Sequence, residues 1–227
     1  MIQISQLKLP ISHTEADLRQ KIKKTLRCGE TLFSYEIIRQ SLDARHKEDK
    51  KFVYTVHVKA ENEKKILKKV HGNNVMSTNE RHYSFPKPGD QPLETRPVIV
   101  GSGPAGLFCA WYLARAGYRP LVLERGEEAD KRMETVNRFW KNGVLDSESN
   151  VQFGEGGAGT FSDGKLNTLV KDSSGRNREV LKRFTEAGAD PEILYQQKPH
   201  LGTDVLVNIV QTMRRQIEEM GGTFRFR

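Results

Sequence analysis

Residues 97–124, PVIVGSGPAGLFCAWYLARAGYRPLVLE, place a β-branched run, three spaced glycines, an apolar helical stretch and a second apolar run ending in an acid within one short segment. Pro97–Val100 reads as a buried parallel strand, with proline tolerated at its first position. Gly101 permits the tight turn out of that strand. Gly103 lets backbone approach a diphosphate with no Cβ in the way, and Gly106 allows the helix to pack closely on the strand. Leu107–Ala116 continues as a helix that Gly117 ends, Leu121–Leu123 is the next strand, and Glu124 closes it. The segment has the length of a βαβ unit, about 30 residues. Free amides and the positive end of the helix dipole face an anion at the turn without needing a lysine. A carboxylate at the end of the second strand accepts hydrogen bonds from a ribose hydroxyl and repels a 2′-phosphate. The segment therefore predicts a dinucleotide site on Gly101, Ser102, Gly103, Pro104, Ala105, Gly106 and Glu124. It divides poorly between FAD and NAD, which present the same adenosine and diphosphate to such a turn.

A second glycine cluster lies at 152–166, QFGEGGAGTFSDGKL, with glycines at 154, 156, 157, 159 and 164. Such density is incompatible with a packed helix or strand interior. Consecutive glycine amides can instead form a concave anion nest and let main chain lie against a flat ring. The interleaved Phe153, Phe161 and Leu166 argue against a mere linker, and Thr160, Ser162 and Lys165 offer further donors.

These segments carry a resemblance. VIVGSGPAGLFCAWYLARAGYRPLVLERG is similar to the first motif of FAD domains of the glutathione-reductase type, in which a strand ending Glu-Arg-Gly recurs. GEGGAGTFSDGKLNT, with SLDARHK at 41–47 and PHLGTD at 199–204, resembles a family of bacterial FAD-dependent, NAD(FAD)-utilising dehydrogenases. That family is similar at a distance to geranylgeranyl-reductase-like flavoproteins. The resemblance implies FAD as cofactor, a role for Arg125 beside Glu124, and a second stretch near the flavin containing Gly156, Gly157 and Ser162. It implies an FAD-dependent oxidoreductase, with NAD(P)H as a candidate electron donor, and supplies no substrate. His200 and Asp163 are candidates for acid–base work by position alone.

Residues before the fingerprint have a different character. Ile2, Ile4, Leu7 and Leu9 alternate loosely toward Pro10. Thr14 then caps a helix with Asp17 three residues on, an apolar stripe at Leu18, Ile22 and Leu26, and a stop at Gly29. An extended stretch near Leu32–Ile38, a charged turn at 46–51, a strand at Phe52–Val58 and a helix at Glu61–Val70 follow, with a last strand near Val75 or Tyr83. The order predicts a small α+β domain of ferredoxin-like type. Prolines at 86, 88, 92 and 97 exclude a helix or central strand there. The expected organisation is α/β: an N-terminal ferredoxin-like domain at 1–90, a proline-rich linker at 91–97, and the first part of a Rossmann-like FAD-binding domain at 98–227.

Charge follows the same division. Residues 1–96 hold 19 Lys and Arg against 12 Asp and Glu, a net +7, while residues 97–227 hold 18 against 17, a net +1. A basic N-terminal domain admits an alternative reading as a module recruited to RNA or another acidic partner, although aromatic RNA-stacking motifs are missing. The runs at Lys21–Lys24 and Lys64–Lys69 fall on predicted helices, where a solvated face is the simpler reading. Cys28 and Cys109 are distant and read as buried thiols, and histidines 13, 46, 57, 71, 82 and 200 lack metal-ligand spacing, so no metal is expected. The longest purely apolar run, Leu107–Ala114, is far below the roughly 20 residues of a membrane span, and no signal peptide is visible. A cytoplasmic location is the expectation.

Thr203 or Asp204 caps a last helix to about Met220, with Leu206, Ile209, Val210, Met213 and Ile217 as its inner stripe and Gly221–Gly222 as its stop. Thr223–Arg227 then starts a strand. A chain ending there reads as the first part of a longer FAD domain, so impaired or absent FAD retention and no activity of its own are expected.

Overall fold

The computed structural model describes residues 1–29, 31–70, 72–79, 82–166, 168, 170 and 172–227. His71 and Asn167, named above, lie outside the described residues. The chain divides into two compact units: Met1–Tyr83 with Lys171–Glu179 and Pro191–Pro199, and Ser84–Val170 with Val180–Asp190 and His200–Arg227.

In the first unit the order is β1 (Ile2–Pro10), α1 (Glu15–Leu26), β2 (Phe33–Asp43), β3 (Lys51–Ala60), α2 (Glu63–Lys69) and β4 (Val75–Ser77). The sheet order is β2-β3-β1-β4 with every neighbour antiparallel. The Thr14 hydroxyl accepts the Asp17 N–H while the Asp17 carboxylate accepts the Thr14 N–H, which satisfies two free donors at the start of α1. The helix ends at Arg27 in the left-handed region, earlier than Gly29. Pro10 is the last residue of β1 rather than a stop before it, and the pairing of β1 with β3 shifts register between Ile4 and Leu7. The shift follows from Gln6, whose positive φ gives the strand one unpaired step, so Ile2, Ile4, Leu7 and Leu9 all face inward despite their broken alternation. They pack with Val56 and Val58 of β3, Leu18, Ile22 and Leu26 of α1, and Ile66 of α2. Tyr83 lies in no strand. The later segment Pro191–Pro199 joins this unit beside β2: the Gln40 N–H donates to Tyr195 O at 2.7 Å and the Gln197 N–H to Gln40 O at 2.9 Å.

The second unit contains β5 (Val98–Val100), α3 (Pro104–Arg115), β6 (Leu121–Glu124), α4 (Ala129–Asn142), α6 (Thr203–Glu219) and β7 (Thr223–Phe226), and α5 (Arg176–Glu186) precedes α6. The strands form a parallel sheet in the order β5-β6-β7. Ile99, Val122 and Phe224 stand side by side in register, and Ile99 faces Gly106 of α3. Strand alternation sends Val98, Val100 and Leu123 to the other face. Val98 is 57% and Val100 86% exposed, which corrects the expectation of a fully buried strand. Helix α3 packs against β5 and β6 and α6 against β7, and β5 and β7 are the outer strands. Cys109, expected to be buried, is exposed: it lies on the outer side of α3, whereas Leu107, Ala110, Trp111 and Ala114 form the inner side. Helix α4 is not announced by the apolar pattern of the sequence. Its inward stripe of Ala129, Arg132, Thr135 and Val136 includes an arginine, which hides the apolar periodicity.

Truncation of Ile22, fully buried between α1 and the sheet, should lower stability of the first unit by about 2–5 kcal/mol. Segment-resolved amide exchange of Ile22→Ala should show the loss in β1, β3 and α1 and leave β5–β7 protected.

Candidate dinucleotide site

Gly101 leaves β5 with φ of +90°, and α3 starts at Pro104 with no side chain capping its N-terminus. Pro104 and Ala105 are exposed there, so no side chain covers the start of α3, where the first N–H groups without an intrahelical partner lie. A Cβ on Gly106 would overlap the Gly101 carbonyl oxygen, so only glycine lets the helix sit this close to the strand.

One carboxylate ties this turn to the next strand. Glu124 Oε2 accepts the Ser102 N–H and hydroxyl, both at 2.7 Å, and Oε1 accepts the Gly126 N–H at 2.9 Å. Burial raises the Glu124 pKa, but the hydrogen bonds from Gly126 and Ser102, aided by the Arg132 charge, outweigh it and hold the carboxyl below its ordinary value. A carboxylate has about four acceptor positions, so three internal bonds leave one for a ribose hydroxyl. Ser102 is wholly buried and acts as a brace for Glu124.

The second glycine cluster lies against the same turn. The Gly156 N–H donates to Ser102 O at 2.9 Å, and the Glu155 N–H to Glu127 O at 3.1 Å. A Cβ on Gly157 would stand 3.3 Å from Gly103 Cα and 3.1 Å from Pro104 Cδ, and φ there is +69°. Gly156, Gly157, Gly103 and Ser102 are thus brought together. Ser162 follows a short 3-10 turn at Ala158–Phe161, where its hydroxyl donates to Gly159 O at 2.7 Å. Pro104, Gly156 and Ser162 line a cavity of about 160 Å³ whose other walls are Leu107 and Phe108 of α3, Phe184, and Leu206, Val210 and Met213 of α6. Lys165 stands at its edge, paired with Asp163 at 2.8 Å. That pairing, with the Lys165 side chain as the largest cause, holds the Asp163 carboxyl below its usual range. His200 is exposed and lies opposite Lys165 in a single antiparallel bridge.

Two charged residues that hold the loop have no motif of their own. Arg132 of α4 is fully buried, and its guanidinium donates to the carbonyls of Asn150, Val151, Gly154, Glu155 and Gly157. Burial lowers its pKa to about 10, with Glu124 and Glu155 opposing, so it stays charged at neutral pH. Glu155, also fully buried, accepts the Ala129 N–H at 2.7 Å at the start of α4. Its other oxygen lies 3.0 Å from Arg214 Nε without an aligned hydrogen bond, while Arg214 also pairs with Glu128 at 2.9 Å. Burial pushes the Glu155 carboxyl up to about 7; the Ala129 N–H and Arg214 oppose the shift, and Glu128 and Asp130 add to it. The signal available in the sequence was an arginine on the inner stripe of an amphipathic helix, and an acid inside a glycine run.

Residues 99–158 match the model of the NAD(P)-binding Rossmann-like domain, and residues 1–59 match a Domain of unknown function (DUF8436). An uncharacterized protein of Clostridium beijerinckii is 45% identical over 226 residues, which is 99% of this chain and 42% of that protein. The chain therefore spans less than half the length of that relative. An L-glutamate oxidase precursor of Streptomyces viridosporus is 51% identical over 45 residues, 18% of this chain and 7% of its own length. A thiamine thiazole synthase of Saccharolobus solfataricus is 40% identical over 70 residues, 31% of this chain and 22% of its own length. The chain is mixed α/β with a Rossmann-like dinucleotide-binding domain, and among its described residues no helix is long and apolar enough to cross a membrane.

Replacing Arg132 with Met leaves five carbonyls without their shared donor and should cost about 3–5 kcal/mol. Trp140 reports it, because the Phe161 ring lies 4.7 Å from the Arg132 guanidinium and 6.5 Å from the Trp140 ring. Glu155 gives a pH signature. Its folded pKa lies above the unfolded value of 4.5, so the folded state favours the protonated form; its contribution is full below about pH 4.5, is lost as pH rises to about 7, and is constant above. Denaturant titration of Glu155→Gln against the parent should show the parent losing about 3 kcal/mol relative to the variant across that window, and a flat difference would refute the buried-acid assignment.

Proposed function

We propose that the chain carries the dinucleotide-binding part of an FAD-dependent oxidoreductase. The observation that carries the reading is the approach of Gly157 to Gly103, main chain against main chain, beside the uncapped start of α3. It leaves a strip free of side chains along the joined edges of turn and loop, over which a diphosphate can lie. Gly101, Gly103, Pro104, Ala105 and Gly106 hold the diphosphate, Glu124 accepts a ribose hydroxyl and Ser102 keeps it oriented. Arg125 flanks the ribose, while Gly156, Gly157 and Ser162 form the facing wall toward the apolar cavity. FAD, when bound, supplies hydride or electron transfer at its ring. The chain's own residues bind it, orient it and exclude water. A short similarity to an enzyme named an oxidase favours redox chemistry; NAD(P)H as electron donor is part of the proposal and rests on the resemblance alone.

The N-terminal unit fits a ferredoxin-like arrangement, supported by its βαββαβ order and the antiparallel sheet β2-β3-β1-β4. A boundary through the proline-rich residues 91–97, with domains at 1–90 and 98–227, belongs to the same reading.

A second reading takes NAD(P) as the resident ligand of the same turn. The domain model that matches residues 99–158 is described as NAD(P)-binding, which favours it. Equilibrium titration of the purified chain with FAD and, separately, with NADH separates the two. The FAD reading expects saturable binding of FAD at least tenfold tighter than of NADH. Tight NADH binding without FAD uptake would favour the second reading, and binding of neither would reject both.

A further inference from the structure

Beyond the diphosphate strip, the geometry at the end of β6 points to a place for the base. Glu124, Arg125 and Gly126 leave the strand directly beside the start of the glycine loop. The backbones of Gly126 and Gly154 meet so closely that a Cβ on Gly126 would overlap Gly154. This approach sets the residues just before each of them, Arg125 and Phe153, side by side. The Arg125 guanidinium lies 3.9 Å from the centre of the Phe153 ring, and a 3.7 Å ion pair with Glu148 helps to hold it. Phe153 is 39% exposed. A single exposed phenyl is ordinary on a protein surface. This one is stacked on a cation, one residue beyond the acid that faces the ribose.

In a nucleotide the base springs from the same ring that carries the hydroxyls, so a ribose held at Glu124 delivers its base to the next residue along. We propose that Arg125 and Phe153 form the purine platform of this site, on which the adenine of the dinucleotide stacks. The inference rests on the dinucleotide reading and holds for FAD and NAD alike, since both carry adenosine diphosphate. A phenyl face and a planar guanidinium both offer favourable stacking to a purine and ask for no particular hydrogen-bond pattern. Phe153 then determines preference for ligands with a base, while the turn at Gly101–Gly106 binds phosphate regardless of what it carries.

The test measures affinity of the full chain for ADP and for inorganic pyrophosphate, which lacks a base, by calorimetric titration. Phe153→Leu keeps apolar volume and removes the aromatic face; Phe153→Tyr keeps the face. The expected result is about tenfold weaker ADP binding for Phe153→Leu, restoration to within about twofold by Phe153→Tyr, and unchanged pyrophosphate binding in both. ADP binding unaltered by Phe153→Leu would overturn the platform while leaving the dinucleotide reading intact. A parallel fall for ADP and pyrophosphate would also overturn it, since the residue would then be shaping the loop. Failure of the parent to bind either ligand would reject the dinucleotide reading and the platform with it.

Discussion

A buried guanidinium holds the site together. The loop at 150–157 turns its carbonyls inward, and a carbonyl removed from water without a donor costs on the order of 1–3 kcal/mol. Arg132 meets five of them from one planar group, something that neither a lysine nor a helix terminus can do. Because the loop is fixed, Gly156 and Gly157 reach the turn after β5, and Gly154 reaches the end of β6. Without that interaction the loop that carries the second glycine motif to the first loses its central anchor.

Around this centre the charges divide their work by environment. Glu124 and Glu155 are both buried acids, yet their carboxyls shift in opposite directions. Glu124 accepts three hydrogen bonds on its two oxygens, enough to offset its lost hydration. Glu155 accepts one good hydrogen bond and has an arginine nearby in poor alignment, with Glu128 and Asp130 in the same field. The first is therefore held ionised where a ribose would need an acceptor. The second links the glycine loop to the start of α4 and to α6.

The local elements were mostly legible. The capping residues Thr14 and Asp17, the stripe of Leu18, Ile22 and Leu26, and the turn from Gly101 to Gly106 are written in contiguous residues, where spacing and backbone sterics suffice. Helix α4 was not, because its inner face carries Arg132 among small residues and periodicity counts only apolar ones. The exposure of Val98, Val100 and Cys109 is not legible for a related reason: a β-branched strand or a small residue in a helix says what suits burial, not which face receives a neighbour. Likewise, the addition of Pro191–Pro199 beside β2 depends on edge pairing between residues some 150 apart, which no local pattern encodes.

The sequence by itself determined that a strand, a glycine turn, a helix and an acid-terminated strand would make a nucleotide-type βαβ unit, and that a basic α+β segment would precede it. Those outcomes rest on bonds and sterics within about 30 residues. Only the tertiary structure decided that the second glycine cluster lies against the first, that Ser102 faces Glu124 rather than solvent, and that Arg125 meets Phe153. Each of these depends on a close approach of backbones distant in the chain, permitted by missing Cβ atoms and fixed by buried charge. Glycine spacing announces that an approach is allowed, and packing alone selects its partner.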